Sequence, residues 1–330
     1  MNNVLITGAT GFLGRYLIEE FLTAGYNVIA QGRNKEKLED LKNKYGVKTF
    51  ECDLSDIHNR GLDVQYVVHA AAMSTVWGKY EDFYQTNVVG TRNVCEFCIK
   101  NRVKKLIHIS SPSIYSGNKD NFDIKEKDFD KNNHLNFYIK TKIEAEDVVK
   151  DFRKQGLSIC IIRPRALFGI GDTSIIPRLI KANRTIGIPL FNKGKNLVDI
   201  TCVENVAYAC RLALESNMAE GRAYNITNGE PRQFKEILEE LFEKIGETPK
   251  YKALPLPLMY ALATVLEGIY KLFKITKKEP AITRYTIITL GHSQTLNIDS
   301  AIRDFSYRPK LSLSEGIEKY ANYVRQNPIH

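Results

Sequence analysis

The sequence predicts an α/β fold, a doubly wound parallel sheet with a smaller, mostly helical C-terminal part. Three observations predict it. Short Val- and Ile-rich runs recur at residues 4–6, 28–30, 66–70, 106–109 and 159–162. They lack polar alternation, as strands buried on both faces do. Between them lie longer segments with apolar residues at helical spacing. The first run leads directly into three glycines, Gly8, Gly11 and Gly14. Strand–helix alternation implies right-handed crossovers and therefore a parallel sheet.

The elements follow in order. After the strand at 4–6, Leu13, Leu17 and Phe21, with Phe12 and Tyr16, recur at four-residue steps and predict a helix. Strands follow at 28–30 and 66–70. Val88, Thr91, Val94 and Cys98 share one face of a second helix. The strand at 106–109 ends in a cluster of hydroxyls. Residues 137–150 read as helix, and 159–162 as a further core strand. After about residue 170 the pattern loosens. Helices are predicted at 203–215 and 233–245, while Gly187, Pro189, Pro255 and Pro257 break the periodicity. Residues 1–165 are expected to form the first domain, with a segment near 196–228 returning to it. Residues 166–330 are expected to cover the carboxyl edge of the sheet.

A chain of 330 residues suits a large core plus a smaller covering part. Apolar residues make up 43% and charged residues 26%, a composition that folds. The net charge of +9 is spread along the chain. It forms no dense basic stripe, which argues against nucleic-acid binding and leaves a bias toward anionic ligands or an anionic membrane surface. Of six cysteines only Cys95 and Cys98 are close, and they sit in an apolar helix as packed thiols. No second pair completes a zinc site, and a reducing, cytoplasmic compartment is expected. No basic leader precedes the first apolar run, so no signal peptide is expected. Residues 253–273 are strongly apolar until Glu267, and the uninterrupted part is shorter than the roughly 20 residues that span a bilayer. Two readings stand: a lid helix over an apolar pocket, or an interfacial helix making peripheral membrane contact.

The stretch Thr7, Gly8, Ala9, Thr10, Gly11, Phe12, Leu13, Gly14 lies between a buried strand and an amphipathic helix. That context cradles a pyrophosphate. Gly8 permits the tight turn, Gly11 lets the anion approach the backbone, and Gly14 lets the helix pack on the strand. A Rossmann-type dinucleotide site follows, with Gly8, Thr10, Gly11, Phe12 and Leu13 at the cofactor. Where a second strand would offer an acid to a ribose hydroxyl, Gln31, Gly32 and Arg33 stand instead. Arg33 suits a 2′-phosphate, so NADP(H) is favoured over NAD(H). Asp53, beside Leu54, is read as a partner of the adenine amino group or as a turn cap.

Tyr138 and Lys142 lie four residues apart in a predicted helix, one turn from each other. A phenol is a poor acid near neutrality, and a fixed ammonium one turn away is expected to pull its pKa down. Tyr138 would then donate to a carbonyl oxygen, or accept from an alcohol in reverse. Ser111, at the carboxyl end of a strand, is the expected oxygen anchor, with Ser113 competing.

The glycine motif at 7–14, His69-Ala70-Ala71-Ala72, Asn87 through Thr91, the hydroxyl-rich stretch 110–115, Tyr138 with Lys142, and Arg163-Pro164 occur in one order. It resembles that of extended short-chain dehydrogenases/reductases, the NAD-dependent epimerase/dehydratase superfamily. The resemblance implies that Ser111 orients the substrate carbonyl and Tyr138 exchanges the proton. Lys142 also binds the nicotinamide ribose. Ala70, Ala71 and Ala72 line the dinucleotide groove, Asn87 supports the site, and Pro164 sits beside the nicotinamide amide. Val76 through Tyr80, residues 193–206 and the apolar stretch near 260 resemble most the 3β-hydroxysteroid dehydrogenase/isomerase group. The missing acid after the second strand departs from members that use NAD. The resemblance also implies a homodimer formed through two helices per subunit.

Three functions are weighed. The first is an NAD(P)(H)-dependent oxidoreductase interconverting hydroxyl and carbonyl on a bulky apolar small molecule of 3β-hydroxysteroid or 3-oxo-lipid type. The second is a nucleotide-sugar epimerase or dehydratase retaining NAD. The third is a non-catalytic dinucleotide sensor. Trp77, Ser113, Tyr115 and Arg165 are expected at the substrate, with Phe168 a further wall candidate. His69 and His108 are expected to be structural, Arg163 to form an ion pair, and Asp199 and Glu204 to cap a turn or helix.

Overall fold

The computed structural model describes residues 2–327. The main sheet has seven strands: β1 (Asn3–Thr7), β2 (Asn27–Gly32), β3 (Lys48–Glu51), β4 (Tyr66–His69), β5 (Lys105–Ile109), β6 (Ile159–Pro164) and β7 (Ala223–Ile226). Their order is β7-β6-β5-β4-β1-β2-β3, and every neighbouring pair is parallel. The chain reverses direction across the sheet between β1 and β4, the switch point at which such sheets open a ligand crevice. β3 and β7 extend the sheet beyond the five apolar runs. The β3 sequence, Lys-Thr-Phe-Glu, lies at an edge and shows none of the Val/Ile signal of a central strand.

Alternate residues of each strand feed two separate cores. Val4 and Ile6 pack on one face with α1 (Phe12–Thr23), α2 (Lys35–Tyr45) and, later in the chain, α5 (Val203–Glu215). Leu5 packs on the other face with α3 (Gly90–Lys100) and α4 (Phe137–Lys154). Burial on both faces is why these strands read as continuous apolar runs. The segment before α3, Tyr84–Val89, is a π-helical turn, so Val88 precedes the regular helix instead of starting it. Such bulges occur often at functional positions.

The covering part holds α6 (Phe234–Ile245), α7 (Leu256–Leu272), α8 (Arg284–Gly291) and α9 (Leu313–Gln326). It also has a small sheet in which Asn121–Ile124 pairs with Gln294–Leu296, which pairs with Leu197–Val198, which pairs with Arg232–Gln233. Chain crosses between the two parts both ways. Residues 203–226 supply α5 and β7 to the main sheet, while Asn121–Ile124 leaves the first part for the small sheet.

The apolar stretch 253–273 forms α7, begun by Pro255 and Pro257. Among the described residues no helix is long and apolar enough to cross a membrane. Glu267 is buried because it accepts from the backbone N–H (2.7 Å) and Nε (2.9 Å) of Arg284, fixing α7 on α8. Leu258, Leu262, Val265, Ile269 and Leu272 point to solvent. The helix thus has one side over a pocket and one side toward solvent. Glu267, Tyr270 and Lys271 face the pocket beneath, and most of the apolar side chains face outward.

Candidate active site

The glycine turn opens a cleft of ≈ 440 Å³ between β1 and β4. Gly8 has φ +67°, and an added Cβ would lie 2.7 Å from the Ala71 Cα, so the loop after β4 packs directly on the turn. At Gly14 a Cβ would meet the Gly8 and Ala9 carbonyls at 2.5 Å. Gly11 caps α1 without a side-chain hydrogen bond. The first N–H groups of the helix are thus left for an anion. The arrangement fits a dinucleotide pyrophosphate.

The cleft gathers Gly8, Thr10, Gly11, Arg33, Asp53, Leu54, Ala70, Ala71 and Ala72. Phe12 and Leu13 open α1 behind it, and Pro164 closes β6 on the same edge of the sheet. Arg33 pairs with Asp53 at 3.5 Å; its side chain is 75% exposed, so a 2′-phosphate would displace only a weak surface pair. Asp53 also accepts from the Ser55 N–H, the turn-capping alternative, and its carboxyl is held below the ordinary value chiefly by that bond.

Three hydroxyls converge at the end of β5. The Ser111 hydroxyl adjoins Tyr138 and favours its phenolate. It donates to Ser113 at 3.0 Å, and Ser113 lies 2.7 Å from the Tyr285 hydroxyl. Ser111 also caps the turn that follows, accepting from the Ser113 N–H. It is both a turn serine and the one that meets Tyr138. Lys142 donates to the Ile109 carbonyl at 2.7 Å. The expected lowering of the phenol is corrected here. Burial pushes Tyr138 up to about 12, and burial drives the Lys142 ammonium down to about 8. For Tyr138 desolvation outweighs the Ser111 hydroxyl, which pulls the other way.

The scaffold behind these groups is polar, and most of its side chains are hydrogen-bonded to one another. Asn87 accepts from the Met73 N–H (2.8 Å) and donates to the Met73 carbonyl and to Thr141 on α4 (both 3.1 Å). It ties the loop after β4 to the helix that carries Tyr138. His69 stands between Thr7 (2.7 Å) and Thr91 (3.1 Å). The Thr91 hydroxyl donates to the Asn87 carbonyl, so the assigned tautomer of His69 carries its proton on Nε2. Burial lowers this imidazole to about 3 and keeps it neutral. His108 packs against it with both nitrogens unpartnered among the described residues. Arg163 binds Glu146 through Nε and Nη2 at 2.8 and 2.6 Å, and Glu146 accepts from Ser110 at 2.6 Å.

On the substrate side, Trp77 stacks edge-on against Tyr270 at 5.9 Å and donates to the Ile275 carbonyl. With Val76, Leu135, Phe137 and Ile275 it walls a pocket of ≈ 210 Å³, and Tyr285 is part of the lining. The Tyr115 hydroxyl is held by Arg163 and Asn225, so only its ring edge reaches a neighbouring crevice, which Arg165 also lines. Phe168 is buried in the core of the covering part, with Leu238, Phe242 and Ile317. Asp199 caps nothing: it is buried, accepts from the Leu296 N–H at 2.7 Å, and is raised by burial to about 6. Glu204 opens α5 and pairs with Lys319. All six cysteines are buried free thiols, and burial pushes Cys95 up to about 12.

Glu146, Gln31 and Tyr285 escaped the sequence reading. Glu146 stands four residues beyond Lys142 on one helical face, a signal available in the sequence. Gln31 ends β2, accepts from the Gly8 N–H and donates to the Cys52 carbonyl, locking the turn that the glycines make. A polar residue at the end of an apolar strand was its only mark. Tyr285 had none, because its partner Ser113 is 172 residues away.

A family model described as the NAD dependent epimerase/dehydratase family matches residues 4–227. An uncharacterized protein of Escherichia coli K12, YbjS, is 34% identical over 98% of both chains. A 2-alkyl-3-oxoalkanoate reductase of Stenotrophomonas maltophilia is 30% identical over 96% of this chain and 97% of its own. Among solved structures, the UDP-glucuronic acid 4-epimerase of Bacillus cereus in complex with NAD is 23% identical. It superposes with a TM-score of 0.75 over 98% of this chain and 99% of that one, so the two share a fold.

Proposed function

The chain belongs to the NAD-dependent epimerase/dehydratase family, and from that premise we propose that it is an NADP(H)-preferring oxidoreductase interconverting a hydroxyl and a carbonyl on a bulky, apolar 3-oxo lipid or 3β-hydroxysteroid-like molecule. One observation carries the reading. The Ser111–Tyr138 hydroxyl pair shares the serine–tyrosine chain with Tyr285, which lines the apolar pocket of Trp77 and Tyr270. The name of the Stenotrophomonas relative points to the same substrate class.

A bound nicotinamide supplies or takes the hydride. In reduction, Ser111 holds the substrate oxygen and Tyr138 gives its proton to that oxygen as negative charge develops there. Lys142 stays fixed by the Ile109 carbonyl, and its ammonium favours the phenolate left behind. In oxidation the same phenol accepts the proton. Arg33 is assigned to the 2′-phosphate, and Ala70, Ala71, Ala72, Leu54 and Asp53 to the rest of the dinucleotide.

We assign the outward face of α7 to a membrane surface with anionic headgroups. Leu262, Val265, Ile269 and Leu272 are exposed, and the exposed Lys277 and Lys278 follow beyond its end, which complements such headgroups. A cytoplasmic location and a homodimer complete the proposal. Light scattering tests the dimer.

The test of the main reading is NADPH and NADH oxidation with a panel of 3-oxo acids, 3-oxosteroids and UDP-sugars. Turnover of oxo lipids, faster with NADPH, is expected. Turnover confined to UDP-sugars overturns it.

A further inference from the structure

Arg165 follows the last residue of β6 and is 4% exposed. Its backbone is fixed by Ile226 and Thr201, yet its guanidinium has no hydrogen-bond or ion-pair partner among the described residues. A buried charge left unpaired is strongly unfavourable, and native structures seldom keep one without a use. Its neighbour Arg163 shows the contrast, with Glu146, Tyr115 and a backbone carbonyl all engaged. Arg165 lines a narrow crevice with Tyr115, Asn121, Thr289 and His292, and the Thr289 hydroxyl is a second buried polar group without a partner. The crevice joins a wider cleft of ≈ 570 Å³ through Tyr115, Lys119 and Asn121.

The position relative to the hydroxyls gives the crevice meaning. Tyr285 hydrogen-bonds Ser113, and Ser113 is bonded to Ser111. Tyr285 lines the apolar pocket and stands one helical turn before Thr289 on α8, so one helix carries both the hydroxyl that meets Ser113 and the hydroxyl that lines the crevice. The nearest acid, Asp199, is bonded to Leu296 and Thr227 and does not reach the guanidinium.

We propose that Arg165 anchors a carboxylate of the substrate, holding it across Tyr285 from the carbonyl carbon that Ser111 and Tyr138 address while the apolar chain lies along Trp77 and Tyr270. The substrate class is then an oxo acid with a long apolar tail. The planar fork of arginine matches a carboxylate in two parallel bonds, and a narrow crevice suits that small group better than a diphosphate. This rests on the reading of the site as an oxo-lipid reductase.

Trp77 is the only tryptophan and walls the apolar pocket, so its fluorescence reports occupancy without turnover. Decanoate, decan-1-ol and inorganic phosphate are titrated into the NADPH-loaded protein. Decanoate is expected to bind on the order of 100-fold tighter than decan-1-ol, and Arg165→Met to reduce that preference to about threefold by weakening decanoate alone. Because the charge it removes is uncompensated, Arg165→Met should melt no lower than the wild type. If it does not fold, Arg165→Lys keeps the charge without the fork and should lose about tenfold on decanoate alone. Equal binding of acid and alcohol by the wild type overturns the proposal. So does an equal loss of both ligands in the variant, or a lowered melting point with lost NADPH binding, which would make Arg165 structural. Displacement of decanoate by phosphate at comparable concentration reassigns the site to a phosphoryl group. The hydride-transfer reading fails separately, when no oxo compound oxidises NADPH.

Discussion

Tyr138 is held protonated by burial in the free protein, with its pKa near 12, and Ser111 is its one hydroxyl neighbour on the reacting side. A group in that state is a proton donor ready for ketone reduction. Tyr138→Phe should lower kcat by about 10²–10⁴-fold while NADPH affinity, read by fluorescence titration, changes little. Lys142 titrates where it is measurable. Burial brings its ammonium down to about 8, so the cation is lost as pH rises through that value. In the free protein kcat/KM for reduction should therefore decline above about pH 8, and Lys142→Arg should move that limb beyond the measured range. Arg33 is tested by affinity. Removing a charge-assisted contact to a 2′-phosphate should weaken NADPH by about 10-fold or more in Arg33→Ala and leave NADH within about twofold.

The helix α4 carries Tyr138, Lys142 and Glu146 on one face, so its seating sets the geometry of the whole site. Glu146 anchors it by a two-pronged, buried bond to Arg163 on β6 and a bond to Ser110 at the end of β5. Glu146→Gln leaves Arg163 buried without its counter-charge and should cost about 3–5 kcal/mol in urea unfolding, with kcat falling as α4 shifts. On β4, His69 must stay neutral between two threonines. Its folded pKa, about 3, lies below the ordinary 6.5, so the unfolded chain binds more protons in that window. Stability that is complete above pH 6.5 is then lost as pH falls toward 3, with His108 adding to the same limb. Between pH 6.5 and 5, where Asp199 with its pKa of about 6 titrates in both proteins, His69→Gln should show a flatter dependence than the wild type when the two are compared by denaturant melts.

At the scale of the molecule, the sheet's switch point and the covering part meet along one edge, and one feature of the surface remains outside that site. The exposed apolar side of α7 ends in lysines, while its inward side packs Leu256, Met259, Tyr260 and Ala263 against Phe191 and Ile287. Sedimentation with phosphatidylglycerol vesicles should capture the protein and phosphatidylcholine vesicles should not. A triple change, Leu262→Glu, Val265→Glu and Ile269→Glu, should abolish capture without altering NADPH oxidation of a short oxo acid, because none of these side chains lines the pocket.

The layered sheet, the glycine turn after β1 and the one-turn spacing of Tyr138 and Lys142 on α4 are all legible in the amino-acid sequence alone. Those signals are local: a strand buried on both faces, glycines where a Cβ would strike backbone, and two side chains one helical turn apart. The sequence could not decide the protonation of that pair, because desolvation dominates both values and burial is a property of the packed whole. Nor could it reveal Tyr285, brought to Ser113 from 172 residues away, or leave any sign that Arg165 would be sealed in without a partner. The interleaving of the two parts had the same origin. Strand pairing across long stretches of chain is chosen by which buried surfaces fit, and neighbours in sequence carry little record of that choice.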